Sequence, residues 1–311
     1  MSDTTKMLDD ALNTLLERRL ADAMARNSAD LPETLMGEMI ESGFTRVLAS
    51  EADGGLDGTL ADAACVAWRC GWHGAPVPIV EMLLLAHLDP HADAAQVSVA
   101  HGSPAIAPLM QGTQSIRTGR ETLAADTGKP FTSIADAPWC VLENTDAGHD
   151  DDTLVMGALL STAAMTGAMA RTLDIMVDHV ETRTQFGRPL KKFQAIQHQL
   201  AEAASELTIT EAALASALEA FETADSRVLL WASAKAQAGV AATKVAATAH
   251  QLAGAIGFTE EHALHHFTKK LWHWRDTWGR QADCEIAIGR AACAAPNGLW
   301  PYIADTEGNH A

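Results

Sequence analysis

A mainly α-helical chain ending in a four-helix bundle is what the sequence predicts, and three observations predict it. Apolar or small residues recur at Leu159, Ala163, Gly167, Ala170, Leu173, Val177 and Val180, and again at Ile196, Leu200, Ala203, Leu207, Leu214, Leu218 and Phe221. Steps of three, four and seven place each set on one helical face. Alanine, the best helix former, is abundant, and Tyr occurs once in 311 residues. Residues 96–143 change character, breaking into short runs interrupted by Gly, Pro, Thr and Asp. The expected organisation is an N-terminal helical domain over 1–95, a reduced β middle region over 96–149, a C-terminal bundle over 150–295 and a loose tail over 296–311.

In chain order, Leu8, Leu12, Leu15, Leu16, Leu20 and Met24 share a face of a helix expected over 7–26. Pro32 and Glu33 open a second, since Pro in a first turn loses no hydrogen bond, and Gly43 ends it after about Ser42. Residues 47–58 form a glycine-rich loop without the Lys-Ser/Thr ending of a phosphate loop. Leu60 to Trp72 is a helix, residues 74–79 a rigid Pro-containing turn, and Glu81 to Leu88 a short helix. Strands are expected at 97–100, 105–109, 115–118 and 139–143. Asp150, Asp151 and Asp152 open the first long helix, where acidic residues complement the helix dipole. The second long helix is expected from about Phe193 to Thr223. The third, from Arg227 to Leu252, is capped by Asp225 or Ser226. The fourth is capped by Thr259 with Glu260 and Glu261 in its first turn and ends near Trp278-Gly279, and a last helix covers 283–295.

The bulk composition restricts function. At 48% apolar the chain can bury a substantial core, and at net charge −18 it has no basic stripe for nucleic-acid phosphates beyond Lys269-Lys270. The five cysteines are odd in number and lack metal spacing, which suggests a reducing, cytoplasmic compartment. The N-terminus lacks a secretory pattern, and no strongly apolar run suggests a membrane partner.

The stretch from Glu181 to His198 joins the first two long helices. Gly187 and Pro189 break the helix, and Arg183 and Arg188 flank the break with Gln185 and Phe186 between them. Two readings stand: a solvated turn whose arginines pair with surface carboxylates, or a site whose guanidinium forks and aromatic face hold a nucleotide-like anion. Downstream, the glycines of Gln251-Leu-Ala-Gly-Ala-Ile-Gly257 suit either a routine helix C-cap or a backbone that closely approaches a pyrophosphate.

Arg183-Thr-Gln-Phe-Gly-Arg-Pro-Leu, Phe193-Gln-Ala-Ile-Gln-His and the run from Gln251 to His262 together resemble the signatures of the acyl-CoA dehydrogenase family. The resemblance is strong over 151–290, recognisable over 35–88 and poor between. It implies an acyl-CoA dehydrogenase-like fold and an FAD site at a subunit interface, contributed to by Arg183, Gln185, Phe186, Gln194, Gln251, Gly254 and Ala255. Ala255 stands where the family usually has a second glycine, and Ser50-Glu51 where Pro-Glu is usual. It further implies an acyl-CoA thioester substrate, electron-transfer flavoprotein as acceptor, and a homo-oligomer or a heterotetramer with a partner subunit. Shortened subunits of this kind resemble those of heteromeric enzymes acting on bulky thioesters, steroid side chains included.

Two departures accompany the resemblance. The middle region is short, and the family's Thr/Ser/Trp strands that hold the flavin ring are not apparent in it; Trp139 is a lone candidate that reads better as core. Desaturating a thioester also needs a carboxylate to take the α proton. The family places it at one of two positions, which Trp278 and Gly157 occupy here, so no catalytic residue is expected in this chain. Asp276 and Glu285 read as solvated or paired. His262 and His266 have a zinc-compatible spacing but lack the glutamate of the hydrolytic motif, so no metal is expected.

Overall fold

The computed structural model describes residues 3–21, 30–109, 113–119, 121–135, 138–143, 145–222, 228–295 and 298–304. Among the described residues, four helices come first: α1 (Asp3–Leu20), α2 (Leu31–Glu41), α3 (Leu60–His73) and α4 (Ile79–Leu88). Six short strands follow: β1 (Val97–Val99), β2 (Ala105–Pro108), β3 (Ser115–Arg117), β4 (Thr122–Ala124), β5 (Lys129–Thr132) and β6 (Pro138–Leu142). The long helices α5 (Asp151–Thr182), α6 (Gln194–Glu222) and α7 (Val228–Ala253) then pack with α8 (Leu264–Asp276) and α9 (Gln281–Ala294), and α10 (Leu299–Ala304) comes last.

Local chemistry explains the boundaries. Thr59 and Asp62 form a reciprocal capping box at the start of α3, and Gly74 ends it at φ +60°. The Asp150 carboxylate accepts from Thr153 N–H and caps α5. The middle region is two three-stranded sheets. One has order β1-β3-β4, with Val97 opposite Ser115 in a parallel pair; the other has order β2-β6-β5 and is antiparallel, with Ala105 opposite Leu142. A small core of Ala100, Ala105, Ala107, Ile116, Cys140 and Leu142 lies between them.

Four expectations need correction. The fourth bundle helix begins at Leu264 rather than at Thr259, because Gly254–Phe258 forms a 3-10 turn and the His262 ring nitrogen Nδ1, at 3.2 Å, accepts from Leu264 N–H. Glu260 and Glu261 therefore precede the helix. β4 and β5 are additional strands; β5 is an edge strand with all four residues exposed, where Pro130 is tolerated because its missing N–H faces no neighbour. The expected loose tail contains α10. The Asp225 or Ser226 cap and Met24 lie outside the described residues.

The helical core is continuous from α1 through α8. Its tightest point is the crossing of α3 and α5. A Cβ built on Gly71 would overlap the Ala164 carbonyl, and one on Gly167 would overlap the Trp68 carbonyl. α5 is long and apolar enough to cross a membrane by length and composition, but its apolar face is buried against neighbouring helices.

Inside this core lies a lysine. Lys235 on α7 is 1% exposed and donates from Nζ to Ser161 Oγ at 2.8 Å and to the Trp274 carbonyl at 2.7 Å. Burial pushes its pKa from 10.5 down to about 7.

Gly167→Ala should destabilise the fold by about 1–3 kcal/mol, because the methyl meets backbone rather than a movable side chain. Chemical denaturation checks it, and an unchanged midpoint would refute the close-crossing account. Lys235 makes a pH prediction. Between about 7 and the ordinary 10.5 the unfolded chain binds a proton that the folded chain lacks, so this group makes stability rise with pH across that window. Lys235→Met should flatten that rise, and parallel stability profiles for the two proteins would contradict the assignment.

Candidate functional site

The Arg183 segment forms a small hairpin at one end of the bundle. Arg183 ends α5 in an extended conformation, β7 (Thr184–Gln185) pairs with β8 (Arg188–Pro189), and the turn between them uses Phe186 at φ +51° and Gly187 at φ +77°. Leu190 N–H donates to the Arg183 carbonyl at 2.9 Å and closes the hairpin. Arg188 lies over the Phe193 ring at 4.1 Å, and Phe186 meets Phe193 edge-on while remaining 89% exposed. Among the described residues, Lys191 pairs with Glu181, but no carboxylate pairs with Arg183 or Arg188. The surface-pair reading of those two arginines is therefore not what the structure shows.

The Gln251 segment arrives at the same end. α7 stops at Ala253, and Gly254 takes φ +64° with open space where a Cβ would stand. Gln251, Gly254 and Ala255 are exposed, as are Arg183, Gln185 and Gln194, so the Ala255 methyl crowds nothing in this chain. Buried Met176, Val180, Leu190, Leu252, Ala253 and Leu264 pack together beneath and bind the two segments into one surface. All seven residues expected to contact a cofactor thus share one open end, flanked by exposed Ile256 and Phe258. Two guanidinium groups without carboxylate partners, three amide side chains and an uncrowded glycine turn suit the phosphate and ribose portion of FAD.

The two base positions converge elsewhere. Gly157 lies on α5, and a Cβ built there would overlap the Trp278 ring. Trp278 is 4% exposed at φ +53°, and its Nε1 donates to Glu81 Oε1 at 2.9 Å. His101 and His149 rings stand 5.1 and 5.6 Å from the indole. Trp139 is buried, as expected for a core residue, against His101 and His273. β5 does carry a Thr/Ser pair, with Phe131 opposite Trp139 and Thr132 followed by buried Ser133, whose Oγ lacks a partner. The sequence reading missed that strand. The space around Gly157 is nonetheless filled by protein side chains, so this region does not suit a flavin ring and thioester in the way the exposed end suits phosphates.

Glu81 is the residue sequence reasoning overlooked. Burial raises its pKa to about 7, opposed by the Trp278 hydrogen bond. Its signal was available: a lone carboxylate in the apolar run Ile-Val-Glu-Met-Leu-Leu-Leu from Ile79. Burial holds His101 neutral, with its pKa at about 3, and lowers His273 to about 4. A cavity of about 100 Å³ adjoins Glu81, lined also by Pro76, Pro78, Trp139, His273 and Trp274. Asp276 pairs with Arg275, and Glu285 accepts from Gln281. Among the described residues, no group of three or more His, Cys, Asp or Glu side chains could hold a metal.

Residues 151–271 match the family model of the acyl-CoA dehydrogenase C-terminal domain. The chain is 28% identical over 296 residues to acyl-CoA dehydrogenase IpdE2 of Mycobacterium tuberculosis, covering 85% of this chain and 90% of that one. It is 26% identical to IpdE2 of Mycolicibacterium smegmatis, covering 87% and 93%. Among solved structures, a variant of the Tcur3481–Tcur3483 steroid ACAD superposes with TM-score 0.82 at 20% identity, covering 93% of this chain and 99% of that one. The ChsE4–ChsE5 complex from Mycobacterium tuberculosis superposes with TM-score 0.80 at 17% identity, covering 95% and 99%. Residues 151–271 thus match the acyl-CoA dehydrogenase C-terminal domain, and the whole chain follows an acyl-CoA dehydrogenase-like fold.

Proposed function

We propose that this chain is a subunit of a flavin-dependent acyl-CoA dehydrogenase that desaturates the α,β bond of an acyl-CoA thioester, with the catalytic base on a partner subunit. The observation that carries the proposal is the Trp278 ring seated on Gly157, which fills the space where both possible bases of the family would act. Bound FAD supplies hydride acceptance. This chain's part would be to grip and orient: Arg183 and Gln251 would hold the phosphates, Gln185 and Gln194 would offer amide hydrogen bonds, Phe186 would offer an apolar face, and Gly254 and Ala255 would let backbone approach.

Distance supports a site shared across chains. Twenty-six helical residues separate Gly157 from Arg183, about 39 Å along α5. That exceeds the reach of an extended dinucleotide, so a flavin held at the Arg183 end would not reach this chain's own Gly157 region and would place its ring in a neighbouring chain. The neighbour is a partner subunit in a heterotetramer, or a second copy in a homo-oligomer, and electron-transfer flavoprotein is the acceptor. A bulky, steroid-derived acyl group is the substrate class suggested by the similar Tcur3481–Tcur3483 steroid ACAD, and a cytoplasmic setting accords with the free cysteines.

One observation favours a second reading, a homo-oligomer with a relocated base. Glu81 is a buried carboxyl with a pKa near neutrality beside a cavity. Against it, Glu81 Oε1 is engaged by Trp278. A non-catalytic assembly subunit without flavin is the remaining alternative, and a colourless purified complex would identify it.

Arg183→Ala should weaken FAD retention in the assembled complex roughly ten- to a hundredfold, the worth of one desolvated charge-assisted pair, while the bundle stays folded. Flavin release on dilution measures it, and unchanged retention would remove Arg183 from the site. Single-turnover bleaching by acyl-CoA, counted against chain content, should give about one reactive flavin per heterodimer. Bleaching of one flavin per chain, or turnover by this chain alone that is lost in Glu81→Gln, would instead establish the relocated base.

A further inference from the structure

Two buried polar side chains end on the turn that carries Trp278, and they come from different sides. Lys235 on α7 holds the Trp274 carbonyl in the last turn of α8 at 2.7 Å and is itself tied to Ser161 on α5 at 2.8 Å. Glu81 on α4, 6% exposed, accepts from Trp278 Nε1 at 2.9 Å. Between these anchors Trp278 adopts φ +53°, a backbone conformation bulky residues seldom take and one that persists only where surroundings over-determine it.

Ordinary core filling does not account for this arrangement. A leucine or phenylalanine would occupy the volume beside Gly157 without any carboxyl being buried, and a carboxyl buried without partners is expensive. His101 does not serve as that partner: its Nε2 lies 4.0 Å from Glu81 Oε1, beyond hydrogen-bond reach, and is itself unsatisfied. The indole N–H is the side-chain donor that meets Glu81, so the contact depends on the chemistry of the plug as well as on its size.

We propose that Glu81 and Lys235 are positioning residues that lock Trp278 as an internal plug, and that the space it fills is a preformed slot for a planar bicyclic aromatic bearing one N–H donor. Gly157 forms the floor of the slot, the His101 and His149 rings flank it, and Glu81 reads the donor. Lys235 fixes the turn from which the plug hangs. The inference rests on the reading that this chain's own pocket is silent, and it states how the silence is built: the pocket retains its shape and is closed by the chain's own side chain.

Trp278→Gly should empty the slot, and the probes are free indole and benzothiophene, which has sulfur in place of the N–H. Indole should raise the thermal midpoint of the variant and bind roughly tenfold more tightly than benzothiophene, the difference one hydrogen bond supplies. Adding Glu81→Leu should abolish that preference, and adding Lys235→Met should weaken both probes together. Equal binding of the two probes by Trp278→Gly, or no indole binding by the folded variant, would overturn the proposal. Should Trp278→Gly fail to fold, the Trp278 indole N–H resonance of the intact protein, assigned with Trp278→Phe, decides instead. It should shift in Glu81→Leu and broaden in Lys235→Met, and constancy in both variants would equally overturn the lock. Neither readout involves flavin or turnover, so failure here is separable from failure of the subunit assignment.

Discussion

Three close approaches to α5 determine how the rest of the molecule can be arranged. Gly71 of α3 meets the Ala164 carbonyl, Gly167 of α5 meets the Trp68 carbonyl, and Gly157 of α5 meets the Trp278 ring. The first two let α3 and α5 pack with no side chain between them, which seats the N-terminal helices directly on the bundle. Helices at such contact cannot slide by a fraction of a turn, because the opposing surface is backbone. The third makes the turn after α8 part of the same core. Since α5 runs without interruption for 32 residues from that core to Arg183, its packing also determines where the exposed hairpin stands.

The polar groups of the two ends differ in kind. At the buried end, three ionisable groups are pressed towards their neutral forms: Glu81 upward to about 7, Lys235 downward to about 7, and His101 to about 3. Glu81 and Lys235 make hydrogen bonds within the chain, and the set presents little unspent charge. At the open end, Arg183 and Arg188 remain solvated and without carboxylate partners among the described residues, with Phe186 standing almost wholly in water. An arginine fork without a partner beside an exposed aromatic ring gains by meeting an anion from outside, whereas the buried set gains nothing from one.

Much of this was legible in the sequence, for reasons that can be named. The long helices were legible because their apolar residues repeat at helical spacing over many turns, as from Leu159 to Val180. The Arg183 and Gln251 segments were legible because they carry unusual residues at chain breaks, whereas their meeting at one end follows from the packing beneath them. β5 was not, because Lys129-Pro-Phe-Thr has neither the alternation nor the burial of an inner strand and is held only by its pairing with β6. The start of α8 differs from the expectation because Thr259 is a good cap by type, while the helix begins after Ala263 without a side-chain cap and the His262 ring nitrogen accepts from its first N–H, at Leu264. The burial of Glu81 is legible in the apolar run around it, but its partner is not, because Trp278 lies 197 residues away and no local pattern encodes the pairing.

That distant pairing bears on why the base positions could change together. A glutamate at 278 would place a second carboxyl beside Glu81, and two buried carboxyls in contact cannot both ionise without strong repulsion. A larger residue at 157 would collide with the indole. Glu81, Gly157 and Trp278 therefore form a mutually dependent set: each is tolerable because of the other two, and restoring a base at either family position would require changing all three. The contact of Trp278 with Gly157 and Glu81 is thus a packed and hydrogen-bonded state of the core, and a single substitution does not undo it. The end that carries Arg183 and Gln251 is the part of the chain that this core leaves open.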